Sequence, residues 1–279
     1  MKRILVPTDF SKNASTAFLY AMELAESLNA MVTMVHVYHP SANHLNEFYI
    51  PTDDEIQKLS EEELNKFVTK YYSENTEEVV VATMVEQKLI IGFAADKLVE
   101  MSKSGEYDLI VMGATGSTGV LEKVFGKVSL YVAQQAVCPV LLIPADVLFR
   151  PIRKLMYASE YESADEKVLV QIGEFSILLN AKIHLVHVYN KTETPTLGKH
   201  LAHFLLEKAF QLKAPWSQFK VNSIKSDTVA HGLETYAQEH NMDWMILMKP
   251  QRKFWQRLLH TSKVNEIIMN PQIPLMVVH

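Results

Sequence analysis

A single cysteine in 279 residues means that no internal disulfide can staple this chain. Cys138 stands beside Pro139 at the head of the apolar run Val140 to Ile143, where a buried, inert thiol is expected. The eleven histidines are scattered, with no cysteine or carboxylate grouping at ligand spacing, although His36 and His39 lie close together after a strand, so no structural metal is expected. No uninterrupted apolar run approaches the ~20 residues of a membrane span. The opening Met1-Lys2-Arg3-Ile4-Leu5-Val6-Pro7-Thr8-Asp9 reaches an acidic residue too soon to be a signal peptide. Low-complexity tracts are missing as well. The expectation is a cytoplasmic protein without membrane contact. With 48% hydrophobic and 21% charged residues it has enough apolar material for one large or two small domains.

Charge is unevenly spread. Residues 1 to 146 carry 11 Lys and Arg against 20 Asp and Glu, whereas residues 147 to 279 carry 16 against 12. Much of the acid lies in Asp53, Asp54, Glu55, Glu61, Glu62, Glu63 and Glu74 to Glu78, interleaved with Leu59, Leu64, Phe67 and Val68 at helical spacing. That pattern predicts a solvated helix face. The basic half has no dense Lys/Arg patch with interleaved aromatics, which argues against a nucleic acid partner.

The chain contains a duplication. Lys2 to Val6, Leu28-Asn29-Ala30 and Val35-His36-Val37-Tyr38 recur, 151 residues later and without a gap, as Arg153 to Tyr157, Leu179-Asn180-Ala181 and Val186-His187-Val188-Tyr189. At a shift of 135, Asp108 to Met112 matches Asp243 to Leu247, and Pro139 to Ile143 matches Pro274 to Val278. Two tandem domains of one fold are expected, 1–146 and 150–279, joined near Asp146 to Pro151. Short β-branched runs alternate with amphipathic stretches in each, the pattern of βαβ units around a mostly parallel sheet. Strands are predicted near 3–8, 31–37, 78–84, 108–112 and 140–143, then near 153–158, 182–188, 218–224, 243–248 and 274–278. Ala14, Ala17, Phe18, Ala21, Leu24, Ala25 and Leu28 form one apolar helical stripe, with Ser11 placed to cap its start.

Chemistry concentrates behind two strands of the first copy. Pro7-Thr8-Asp9-Phe10-Ser11 follows strand one, and Asp9 can accept hydrogen bonds from a base amine or a ribose hydroxyl. Behind Leu109 to Met112 stand Gly113-Ala114-Thr115-Gly116, then Gly126-Lys127-Val128-Ser129 opening a helix. Glycines there let backbone amides approach a phosphate, and the helix start adds donors. A nucleotide is the ligand this pattern predicts.

These residues resemble the universal stress protein family over nearly the whole chain. The resemblance rests on Pro7-Thr8-Asp9-Phe10-Ser11, on Val37 ending strand two, on Met112-Gly113-x-x-Gly116-x9-Gly126, and on Cys138-Pro139-Val140-Leu141. It implies an α/β fold of two tandem, doubly wound, parallel five-stranded sheets of strand order 3-2-1-4-5, adenine nucleotide alpha hydrolase-like. Strands one and four are then neighbours, with both loops around one crevice. By the same resemblance, Asp9, Val37 and the backbone near Pro7 and Thr8 hold adenine and ribose. Met112, Gly113, Ala114, Gly116, Gly126, Lys127, Val128 and Ser129 surround the phosphates of ATP, taken up with or without magnesium. The family pattern wants Ser or Thr after the third glycine; Lys127 departs from it, either pairing with phosphate as a point charge or weakening the site. Single-domain relatives pair through their last strands, which implies that Val140 to Ile143 and Leu275 to Val278 pack the two copies into an intramolecular pseudo-dimer. A homodimer remains open.

The second copy has Met248 opposite Gly113, Gln251 opposite Gly116, Thr261 opposite Gly126 and Glu160 opposite Asp9, although Ser262 falls on the Ser/Thr position. Side chains occupy the phosphate space, so this half is read as a degenerate domain without ATP. Its Lys249, Arg252, Lys253 and Arg257 are expected to form a solvated basic loop. Other nucleotide and hydrolase signatures fail. Gly119 to Lys127 has six residues between its glycines and Val128 after the lysine, unlike a Walker A loop. Met101-Ser102-Lys103-Ser104 has no His-x-Gly-His partner, and no G-x-S-x-G elbow or nucleophile–base set exists. Catalysis is at most a slow ATPase. The expected function is that of a stress-response regulator gated by an adenine nucleotide, with an unidentified protein partner. The alternative is a nucleotide-free interaction protein whose crevices are closed or hold another small ligand.

Overall fold

The computed structural model describes residues 3–39, 52–73, 85–114, 126–158, 166–189, 219–248 and 272–279. They divide into two compact units, Met1–Phe149 and Arg150–His279. The first runs β1 (Arg3–Thr8), α1 (Lys12–Leu28), β2 (Met31–Tyr38), α2 (Asp53–Ser73), β3 (Val85–Ile91), α3 (Ala94–Ser102), β4 (Leu109–Gly113), α4 (Lys127–Gln135) and β5 (Val140–Ile143). Its strands lie in the order β3-β2-β1-β4-β5 with every pairing parallel. Ile4, Leu5 and Val6 in β1, and Leu109, Ile110 and Val111 in β4, are wholly buried. Central parallel strands are covered on both faces, which is why these runs are continuously apolar.

Helix α1 buries Ala14, Ala17, Phe18, Ala21, Leu24, Ala25 and Leu28, and Ser11 caps it by accepting from Ala14 N at 3.1 Å. It stops at Asn29, whose left-handed φ of 48° lets Ala30 N reach back to Ala25 O at 2.9 Å. Asn180 repeats the device, with φ 49° and Ala181 N bonded to Ser176 O at 2.9 Å. The duplicated Leu-Asn-Ala is therefore a helix stop: asparagine tolerates this conformation, and each closure satisfies an end carbonyl.

The third strand is Val85–Ile91 rather than the expected 78–84; residues 74–84 lie outside the described ones. Position in the sheet explains the difference. An outer strand is only partly covered, so it needs no unbroken β-branched run. Glu86 and Lys88 instead serve in ion pairs while Val85 to Ile91 pair in register with Val32 to Tyr38. In α2, Leu64, Phe67 and Val68 are buried under an acidic face, but Leu59 is 58% exposed. Cys138 is buried, and desolvation raises its thiol pKa to about 11, so it stays protonated and unreactive.

The second unit runs β6 (Lys154–Ala158), α5 (Glu166–Leu179), β7 (Lys182–Tyr189), β8 (Phe219–Lys225), α6 (Val229–His240), β9 (Trp244–Met248) and β10 (Leu275–Val278). Its parallel order, β8-β7-β6-β9-β10, repeats that of the first. Each strand begins and ends within about one residue of its predicted span. No helix among the described residues is long and apolar enough to cross a membrane.

Candidate functional site

Strand order reverses at β1, which has β2 on one side and β4 on the other. In parallel α/β sheets, ligands dock beyond the carboxyl ends of strands at such a point. The ladder to β2 continues as far as Thr8–His36, whereas that to β4 covers Ile4–Leu109 and Leu5–Ile110.

Side-chain to backbone bonds shape the loop behind β1. Thr8 is buried and its Oγ1 accepts from Phe10 N at 3.0 Å; exposed Asp9 accepts from Ser11 N through Oδ1 at 3.1 Å; Ser11 then caps α1. Phe10 between them has φ 62°. Its ring packs 4.3 Å from that of His36 and 5.7 Å from that of Phe67. His36 Nδ1 donates to the Thr8 carbonyl at 2.9 Å, which fixes the tautomer, because a carbonyl only accepts. Pro7 and Val37 are half-buried, and Val37 directly follows His36, the partner of Thr8. Sequence reading passed over Phe10 and His36 as site residues. The available signal was His36 recurring as His187 inside an otherwise apolar strand.

Behind β4, Met112 and Ala114 are buried and Gly113 pairs with Ile143. Ala114 N donates to Ile143 O at 2.9 Å, and Gly126 N donates to Ala114 O at 3.0 Å. The chain thus returns at Gly126 to the place where it left at Ala114; Thr115, Gly116 and the rest of 115–125 lie outside the described residues. Gly126 is the N-cap of α4, with φ −60° and ψ 141°, no side-chain cap bond and no acidic residue in the first turn. Any L-residue adopts that conformation. Glycine here is therefore not required by the backbone, and it brings no side chain to cap the helix start. Lys127 and Val128 are exposed beside it, and Ser129 is buried.

A sequence model of the universal stress protein family matches residues 1–144. The chain belongs to that family. A universal stress protein of Methanocaldococcus jannaschii is 30% identical over 144 residues, 51% of this chain and 81% of the relative. Another, from Synechocystis sp., is 24% identical over 228 residues, 75% of this chain and 78% of the relative. The crystal structure of a universal stress protein from Archaeoglobus fulgidus shares the fold, with a TM-score of 0.70 and 17% identity over 99% of this chain and 97% of the other.

Within this universal stress protein, the structure brings Pro7, Thr8, Asp9 and Val37 to the ends of β1 and β2. It gathers Met112, Gly113, Ala114, Gly126, Lys127, Val128 and Ser129 around the start of α4, behind the neighbouring β4. In the second unit, Met248 ends β9 opposite Val278 and is half-buried. Glu160, Gln251, Thr261, Ser262 and the basic loop of Lys249, Arg252, Lys253 and Arg257 lie outside the described residues.

Proposed function

We propose that the first unit binds ATP or another adenine nucleotide and that the bound ligand gates a stress-response partner interaction. Asp9, Val37 and the backbone at Pro7 and Thr8 would hold base and ribose. Met112, Gly113, Ala114, Gly116, Gly126, Lys127, Val128 and Ser129 would surround the phosphates, with magnesium as an optional companion. The observation that carries this reading is Gly126, a helix N-cap that has neither a conformational need for glycine nor a capping side chain. A helix start without a capping side chain or a Cβ at its N-cap suits an anionic ligand. Lys127 supplies an exposed cation beside the same helix start.

The chemistry this chain supplies is binding and orientation. In the same proposal, domain 150–279 is a degenerate copy that takes no ATP, the apolar runs Val140 to Ile143 and Leu275 to Val278 pair the copies, and the protein works in the cytoplasm. Thermal unfolding of purified protein tests it. Millimolar ATP with magnesium raises Tm by mass action; no rise would favour the nucleotide-free interaction protein.

A further inference from the structure

At the amino-terminal edge of the first sheet, two cations face two carboxylates. Arg3 pairs with Glu106 and lies 3.5 Å from Glu86. Lys88 Nζ lies 3.1 Å from Glu106 and 3.7 Å from Glu86, and donates to the Tyr107 hydroxyl at 2.9 Å. Thr33 Oγ1 completes the group by donating to Glu86 at 3.1 Å.

The second unit keeps the backbone frame and changes the charges. Arg3 N donates to Asp108 Oδ2 at 3.0 Å in one unit, and Lys154 N donates to Asp243 Oδ2 at 2.9 Å in the other. Strand register sets Glu86 beside Thr33 but Lys220 beside His184. Lys154 thus stands for Arg3, His184 for Thr33 and Lys220 for Glu86. Asn241, two residues before Asp243, stands for Glu106, two before Asp108. Both carboxylates are gone. Every ion pair among the described residues lies in the first unit.

What remains is a convergence of basic groups on one imidazole. Strand register sets Lys220 of β8 beside His184, and Lys154 of β6 beside Lys182, two residues before it; the ring of His240 from α6 lies 6.1 Å from that of His184, which is 7% exposed. The Tyr236 hydroxyl hydrogen-bonds His184 Nδ1 at 2.8 Å, and the Tyr236 ring stacks on His240 at 4.0 Å and 11°. His240 Nδ1 is buried without a hydrogen-bond partner among the described residues. Lys154 Nζ meets the His240 carbonyl at 2.6 Å, which offsets only the partial charge of a helix end. The Asp243 carboxylate is taken up by the backbone amides of Arg153 and Lys154.

We propose that Lys154, Lys182, Lys220, His184 and His240 form a binding site for a compact phosphate-class dianion, supplied as free phosphate or as the phosphate of a small metabolite. Cations focused on one point suit a small multivalent anion; an extended polyanion calls for a stripe. The anion would take the place that Glu86 and Glu106 hold in the first unit. It would also reverse the field on His184, so anion binding and proton uptake by this imidazole reinforce each other.

The test uses the full chain carrying Gly126→Asp, which disables the proposed nucleotide site and keeps the two sites separable. Inorganic phosphate at pH 8, where it is mainly the dianion, is expected to raise Tm by a few degrees over sodium chloride at equal ionic strength. Lys220→Glu, which restores the first unit's carboxylate, should raise Tm without anion and abolish the phosphate response. Lys220→Gln should weaken phosphate about tenfold by titration calorimetry while circular dichroism remains unchanged. A response to ribose 5-phosphate as well as phosphate identifies a phosphomonoester source; a response to phosphate alone identifies the free ion. Phosphate acting no better than chloride, or acting equally on Lys220→Glu, overturns the proposal. Loss of ATP binding by the unsubstituted chain leaves this result untouched and bears only on the first unit.

Discussion

Phe10 occupies the left-handed region at φ 62°, a conformation that costs a non-glycine residue about 1–3 kcal/mol. The strain is held by the Thr8 bond to Phe10 N and by ring packing on His36 and Phe67, and it fixes where Asp9 leaves the sheet. None of this was legible beforehand, because no residue pattern announces a phenylalanine with positive φ. Lys127 was legible as a departure but not in its sign. It lies exposed on the first turn of α4, so its charge adds to that of the helix end. Lys127→Ser should therefore weaken ATP binding about two- to fivefold, an effect that shrinks in high salt. Calorimetry showing equal or tighter binding would place the ammonium away from phosphate.

His184 supplies a pH prediction at the same scale. An imidazole in an unfolded chain titrates near pH 6.5, whereas burial, reinforced by Lys220, His240, Lys154 and Lys182, lowers that of His184 to about 4. As pH falls through this window the unfolded chain takes up the proton first. Stability is thus intact above about pH 6.5 and drops by on the order of 2 kcal/mol as pH 4 is approached. His184→Thr, the residue of the first copy, lacks this loss. Its Tm deficit at pH 7 should shrink by pH 4.5, and a constant deficit would show that His184 does not titrate as described.

Among the elements, buried strands were the most legible; of the outer strands β3 and β8, the latter was placed within a residue and the former was not. Continuous runs such as Ile4-Leu5-Val6 and Leu109-Ile110-Val111 have one physical solution, a strand covered on both faces. The third strand was misplaced because its Glu86 and Lys88 look unsuited to a strand until their ionic partners Arg3 and Glu106 come from distant sequence. Helix α6 shows another tertiary demand. A Cβ added at Gly232 would lie 2.8 Å from Val188 Cγ1 and 3.0 Å from Ser226 Cβ, so this helix approaches β7 too closely for a side chain. Helix propensity alone would reward Gly232→Ala with about 1 kcal/mol. Crowding costs about 1–3 kcal/mol and should win, for a net loss of about 1 kcal/mol in chemical denaturation. Val188→Ala in the same chain should recover part of that loss; a stabilised single variant would show that β7 yields.

For the whole molecule, one fold is written twice with different chemistry. Shared Leu-Asn-Ala and Val-His-Val-Tyr segments made the duplication visible, since they encode the same helix stop and the same end of the second strand in both units. The proposed nucleotide site was legible only in part. Glycines behind β4 marked it, but the sequence does not say whether they serve conformation or space; the ordinary backbone at Gly126 removes conformation as the reason there. Binding at one unit and not the other is therefore a statement about stoichiometry. Calorimetric titration of ATP with magnesium into the full chain and into Gly126→Asp measures it. An aspartate there can cap α4, so the variant folds at least as well while its carboxylate fills the phosphate position. The account predicts one ATP per chain, lost in the variant with no fall in Tm; two ATP per chain, or undiminished binding to Gly126→Asp, would contradict it.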